Sequence, residues 1–158
     1  MLFKEIVGLE KTKKQLITSL NKKRVAHSQL FSGPKGSGKL ATVVAYAQFL
    51  NCTLTTNEDS CGNCSSCLKF SKLSHPDFHI IFPTVKKTST DMPFSEDFLA
   101  EWKEQFLQNP YFSLKDWMLN YKEIFLEKQS DKKKEPAIYS HQIKELNRKL
   151  SLKIYEAK

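Results

Sequence analysis

Glycine and proline are scarce, at five and six among 158 residues. That scarcity excludes a collagen-like or low-complexity chain. Long apolar runs are missing too, and none approaches the ~18 residues of a membrane span. The start, Met1-Leu2-Phe3-Lys4-Glu5, lacks the apolar core of a secretion signal. The expectation is therefore a cytoplasmic protein with no membrane partner. Acidic residues are outnumbered, 17 against 25 Lys and Arg, which leaves a net charge of +8. The excess is local, because residues 1–50 hold nine basic and two acidic residues, or +7. A basic first third attracts phosphate-bearing partners over long range. Taken alone, the Lys22-Lys23-Arg24 run reads as a solvated, lysine-rich helix face. What is present, 40% hydrophobic and 27% charged residues, suits one globular core.

Apolar periodicity predicts a helix from Glu10 to about Lys23, on Leu16, Ile17 and Leu20. Gln29-Leu30-Phe31 reads as a short buried strand. A helix from about Gly38 to Asn51 is apolar on nearly every side, which marks it as buried. Ser65 to Leu73 reads as a short helix, and Phe78 to Phe82 as a second strand. Ser95 and Ser113 are placed to cap two aromatic-rich helices, one around Trp102 and Phe106, the other around Trp117 and Tyr121. These two should pack on each other as a hairpin. Lys132-Lys133-Lys134 falls in a polar linker, and Ser140 should cap a last helix.

Gly33-Pro34-Lys35-Gly36-Ser37-Gly38-Lys39-Leu40 fits the pattern G-x-x-x-x-G-K. Glycines let such a loop fold tightly, so that successive N–H groups face a polyphosphate. Lys39 would reach the terminal phosphates, and the following helix adds its N-terminal dipole. The candidate nucleotide-binding residues are Gly33, Lys35, Gly36, Ser37, Gly38, Lys39 and Leu40. One position departs: the pattern places Ser or Thr after the lysine as a Mg²⁺ ligand, and here Leu40 stands there. ATP or another nucleotide remains a candidate ligand, whereas magnesium-assisted hydrolysis is disfavoured.

All four cysteines, Cys52, Cys61, Cys64 and Cys67, lie within sixteen residues. Thiols at x2 intervals converge on one ion, and four of them make a closed tetrahedral site. Structural Zn²⁺ is the reading favoured, with an iron–sulfur cluster or disulfides as rivals. His75 is an alternative fourth ligand in place of Cys52, or simply part of a turn.

These residues resemble a family. Phe3 to Gly8, the run Val25 to Gly33 into the loop, and the cysteine module after the loop helix are similar to the N-terminal AAA+ domain of bacterial DNA polymerase III clamp-loader subunits. The resemblance covers residues 1–82. Leu40 and the His75-Pro76-Asp77-Phe78 segment look more like the delta-prime subunit than the gamma/tau motor, and so does Tyr139 to Leu146. The resemblance implies an α/β fold: a P-loop NTPase parallel sheet carrying a zinc module at 52–67 and a helical insertion at 85–135. It implies a non-hydrolysing subunit that helps load the sliding clamp onto primed DNA, with gamma/tau and delta as partners. No Walker B strand, lid or collar is found in the sequence, so residues 1–158 are expected to be the N-terminal part of such a domain, marginally stable alone. The rival readings are an active AAA+ ATPase of the motor type and a stand-alone zinc-binding interaction module.

Overall fold

The computed structural model describes residues 1–126, 134–152 and 155. The expected linker lysines Lys132 and Lys133 lie outside them. The chain divides into two compact units, Met1–Pro76 and Asp77–Tyr155.

In the first unit a 3₁₀ turn, Phe3–Glu5, precedes α1 (Glu10–Asn21), α2 (Lys39–Asn51) and α3 (Ser65–Ser71). The all-round apolar character of α2 has the expected result: Ala41, Val44, Ala45, Tyr46 and Phe49 are all buried. Phe3 and Ile6 join Ala41, Ala45, Tyr46 and Phe49 in a cluster that Leu16, Ile17 and Leu20 of α1 cover. Phe3 meets Phe49 edge-on at 5.9 Å. Burial of each such side chain contributes about 1.5–3 kcal/mol. Lys13 sits on this apolar side of α1, where its buried ammonium donates to the Ile6 carbonyl at 2.9 Å and pairs with Glu10 at 2.7 Å.

In the second unit a 3₁₀ turn, Ser95–Phe98, leads into α4 (Leu99–Gln108), followed by α5 (Leu114–Phe125) and α6 (Ser140–Leu150). Ser113 caps α5 as expected, accepting from the Asp116 amide while the Asp116 carboxylate accepts from Ser113 N–H. The aromatic helices do pack on each other. Phe98 meets Tyr121 and Phe125 at 4.8 and 4.7 Å, and Asn120 donates to Gln105 at 3.2 Å. Phe82 stacks on Trp102 at 5.7 Å and meets Trp117 edge-on at 5.0 Å.

Two expected caps differ. Ser140 is the first residue of α6 rather than its cap. Ser95 is buried, and its hydroxyl serves Phe82 and Gln142 instead of a helix end. Asp97 takes over at that turn and accepts the Phe94 amide at 2.9 Å.

The expected parallel sheet is not formed among the described residues. Their β pairing is one isolated antiparallel bridge between Thr84 and Ala137. Neither Gln29–Phe31 nor Phe78–Phe82 forms a strand. Leu30, expected in a buried strand, is 93% exposed. The physical reason is that a central parallel strand is buried only by strands on either side and helices above and below. No described helix is long and apolar enough to cross a membrane.

Candidate metal centre and phosphate loop

Cys52 ends α2, Cys61 and Cys64 flank the turn Gly62-Asn63, and Cys67 lies in the first turn of α3. Gly62 has φ +75°, a left-handed conformation that turns the chain sharply between the two thiols. The four sulfurs all lie within 4.8 Å of one another. Three of the separations are 3.5 Å (Cys52–Cys61), 3.9 Å (Cys61–Cys67) and 4.0 Å (Cys52–Cys64). A tetrahedron of sulfurs at ~2.3 Å from zinc has edges of about 3.8 Å. These distances fit that figure and are far too long for disulfides, and all four cysteines are free thiols. The set can therefore hold a metal ion.

Backbone donors orient the sulfurs in sequence. The amide of Cys61 donates to the Cys52 sulfur at 3.3 Å, that of Cys64 to Cys61 at 3.3 Å, and that of Cys67 to Cys64 at 3.5 Å. Each cysteine after the first thus positions the one before it, which is how outer-shell hydrogen bonds fix a ligand set. The amides also favour charged sulfur. Hydrogen bonds from the Asn63 and Cys64 amides hold the Cys61 thiol below its ordinary pKa. Burial raises Cys64, but bonds from the Thr53 hydroxyl, the Thr53 amide and Cys67 outweigh it and lower the thiol to about 5. Burial pushes Cys52 up, and burial together with the Cys64 side chain pushes Cys67 up to about 12. Opposed shifts within one cluster are what crowded thiols do when one thiolate's charge disfavours the next. A divalent cation among them removes that conflict, because it favours all four thiolates.

His75 stays apart from this set. It is buried and stacks on Phe70 at 4.6 Å, and the ligand atoms that gather are the four cysteine sulfurs, Cys52 included.

The cysteine loop is tied to the N-terminal segment by groups with no recognisable pattern in the sequence. Gln48 donates to the Ser60 hydroxyl at 2.9 Å and accepts from the N-terminal amine at 3.1 Å. The Asp59 carboxylate accepts the amides of Phe3 and Lys4. Lys13 carried a weak signal, a lysine one turn before Leu16 and Ile17 on the apolar side of α1.

The phosphate-loop pattern forms a turn that feeds α2. Gly36 and Gly38 both adopt positive φ, +71° and +77°. A Cβ at Gly33 would stand 3.2 Å from the Ser37 hydroxyl, a tight contact that the hydroxyl could admit only by shifting a few tenths of an ångström. The Lys39 ammonium folds back over the loop, 2.8 Å from the Gly33 carbonyl, 3.4 Å from the Ser37 hydroxyl, and against the Pro34 carbonyl. These partners are neutral dipoles, and phosphate oxygens are stronger acceptors for the same cation. A hollow of about 330 Å³ adjoins the loop, lined by Gly33, Ser37, Lys39 and Thr42 on one side and by Leu9, Leu16 and Phe31 on the other. Lys35, Gly36, Gly38 and Leu40 do not line it. The Thr42 hydroxyl is committed to the Gly38 carbonyl at 2.8 Å, so it does not substitute for the missing one at position 40.

The family described as "DNA polymerase III, delta subunit" matches residues 8–158. Over 70 residues, 44% of this chain, it is 36% identical to the DNA polymerase III subunit delta' of Bacillus subtilis, covering 21% of that protein. It is 35% identical to subunit tau of the same organism over 65 residues, 41% of this chain and 12% of that protein. Protein STICHEL of Arabidopsis thaliana is 33% identical over 78 residues, 49% of this chain and 6% of that protein. The chain thus spans a fraction of the length of the curated relatives it matches. No solved structure matches it. With the family matched along nearly the whole chain, on top of the loop and cysteine patterns, the chain belongs to the DNA polymerase III delta-subunit family, within the AAA+ clamp-loader group it resembles.

Proposed function

We propose that this chain is the nucleotide-loop part of a delta-prime-like clamp-loader subunit, a stator that shapes an AAA+ ring without hydrolysing ATP. The observation that carries the reading is Leu40. The position that follows the loop lysine has no hydroxyl to hold Mg²⁺, and the nearby Thr42 hydroxyl is already bonded. Nucleotide would contact the loop residues Gly33, Lys35, Gly36, Ser37, Gly38, Lys39 and Leu40 through their backbone and the Lys39 ammonium. Zn²⁺ would be held by Cys52, Cys61, Cys64 and Cys67. A closed four-thiolate zinc site supplies no open position for chemistry, so its role is to cross-link α2 to α3. Gln29–Phe31 and Phe78–Phe82 would become strands of a parallel sheet beside further strands, and residues 85–135 would be a helical insertion. The partners are the gamma/tau and delta subunits and, through the complex, the sliding clamp and primed DNA, in the cytoplasm.

The rival motor reading is supported by relatives named tau and gamma/tau, which are as similar to this chain as delta' is. One experiment separates them. Nucleotide binding and magnesium-dependent ATP turnover are measured on the complete polypeptide carrying this sequence, beside Lys39→Ala. No turnover above the Lys39→Ala background supports the stator. Magnesium-dependent turnover that Lys39→Ala abolishes establishes the motor.

A further inference from the structure

The four sulfurs are alike in spacing but not in access. Cys52 and Cys67 are fully buried, whereas Cys61 and Cys64 are half-buried. Of the four, Cys61 alone lines the open hollow of about 660 Å³ beside the N-terminal turn and α1. Leu2, Lys4, Lys14 and Thr56 share its wall. A small reagent therefore meets the cluster at Cys61.

The sulfurs also divide by what they join. Cys52 lies 3.5 Å from the Cys61 sulfur, closer than Cys67 at 3.9 Å, and the Cys61 amide donates to the Cys52 sulfur at 3.3 Å. This pair brackets the loop that carries Asp59 and Ser60, the residues that hold Phe3, Lys4 and Gln48. Cys64 and Cys67 instead belong to the start of α3.

We propose that the module is a peroxide-sensitive latch: oxidation joins Cys61 to Cys52, withdraws two of the four metal ligands and frees α3 from α2. The inference rests on the zinc reading above. The Cys61 thiolate attacks a hydroperoxide oxygen; an S–O bond forms, the O–O bond breaks, and hydroxide or alkoxide leaves. The Cys52 thiolate then attacks the Cys61 sulfur; the S–S bond forms, the S–O bond breaks, and hydroxide leaves. Two thiolates give up two electrons, and the peroxide takes up both. Cys64 and Cys67 alone are too few for a structural zinc site, which takes four ligands. The new bond closes the loop on itself, so the ties of Asp59 and Ser60 persist while the link to α3 is lost. Thiol–disulfide exchange with a dithiol reverses the step, as befits a disulfide in a reducing compartment.

The test uses the complete polypeptide carrying this sequence, purified without chelator and assayed for zinc. It is then treated with hydrogen peroxide beside a chromogenic zinc indicator. All the bound zinc should appear in step with a Cys52–Cys61 disulfide, located by non-reducing peptide mass. A dithiol with added zinc should reverse both changes. Amide hydrogen exchange should quicken in α3 and stay unchanged at Phe3 and Lys4. Zinc retained under peroxide, zinc lost with any other cysteine pairing, or zinc lost with sulfinic acid at Cys61 and no disulfide would overturn the latch and leave the zinc reading standing. Equal quickening of exchange at Phe3, Lys4 and α3 would overturn the selective release. A chain that carries no zinc before peroxide is added would overturn both readings.

Discussion

The Asp59 carboxylate accepts the Phe3 amide at 3.2 Å, joining residues 56 positions apart. Its other oxygen accepts the Lys4 amide at 3.1 Å, and the Ser60 amide donates to the first oxygen at 2.8 Å. One side chain thus pins the N-terminal turn to the cysteine loop. Asp59→Ala should destabilise the zinc-loaded chain by about 1–2 kcal/mol, the range for charge-assisted bonds at a partly exposed site. Zinc stoichiometry should stay the same, since Asp59 is not a ligand. Urea unfolding checks it, and an unmoved midpoint would show that the tie carries no stability. Asp59→Asn keeps one acceptor oxygen and should recover part of the loss.

A buried polar chain does comparable service in the second unit. The Ser95 hydroxyl accepts the Phe82 amide at 3.0 Å and lies 2.7 Å from Gln142 Oε1, while Gln142 donates to the Thr84 hydroxyl at 3.0 Å. Ser95→Ala would leave the Phe82 amide without its acceptor. The expected loss is about 1–3 kcal/mol, the penalty for a buried donor stripped of its partner. Thermal unfolding followed by tryptophan fluorescence reports this unit, because Trp102 and Trp117 sit against Phe82. A melt equal to wild type would remove Ser95 from the account.

The reach of the sequence follows the range of the forces involved. α2 was legible because its apolar residues circle the helix, and Ser113 because a cap and its Asp116 partner are three residues apart. The cysteine spacing was legible because ligand geometry is set by a tight turn. The strands were not. Leu30 is apolar, yet its burial depends on neighbouring strands that local pattern does not describe, and it is 93% exposed. Asp59 and Lys13 were missed for a related reason: each satisfies backbone groups that meet it only after folding. Ser95 looked like a cap because capping and buried networks use the same hydroxyl chemistry.

The metal-free cysteines should differ in reactivity. Cys64, lowered to about 5, is almost wholly thiolate at neutral pH, whereas an unperturbed thiol near 8.5 is only a few per cent ionised. Cys67, pushed up to about 12 and buried, stays protonated. Brief iodoacetamide treatment of the chelator-treated chain should label Cys64 first and Cys67 last, read by peptide mass. Cys64 labelling should be nearly flat between pH 6 and 8, while an unfolded control rises about tenfold per pH unit. The linkage has the matching sign. A thiol lowered on folding contributes stability above its unfolded value, and that contribution fades as pH falls towards about 5. Acid should also release zinc, because protons compete for the same sulfurs. Labelling of all four at one rate would show that the cluster does not persist without metal.

Lys23 and Leu73 offer a paired test of why a non-glycine residue occupies a left-handed helix end. Both have positive φ, and both are followed by a residue whose amide reaches back five positions, Arg24 to Ser19 and Ser74 to Lys69. Glycine at either position relieves about 1 kcal/mol of steric strain. At Lys23 nothing opposes that gain, because the side chain is exposed, so Lys23→Gly should stabilise the chain by about 1 kcal/mol. At Leu73 a buried side chain disappears, at a cost of about 2–5 kcal/mol, so Leu73→Gly should destabilise despite the same relief. Opposite signs in urea denaturation would show that strain is held for packing at Leu73 and not at Lys23. Two losses of equal size would mean that the Lys23 turn is supported by contacts of its own.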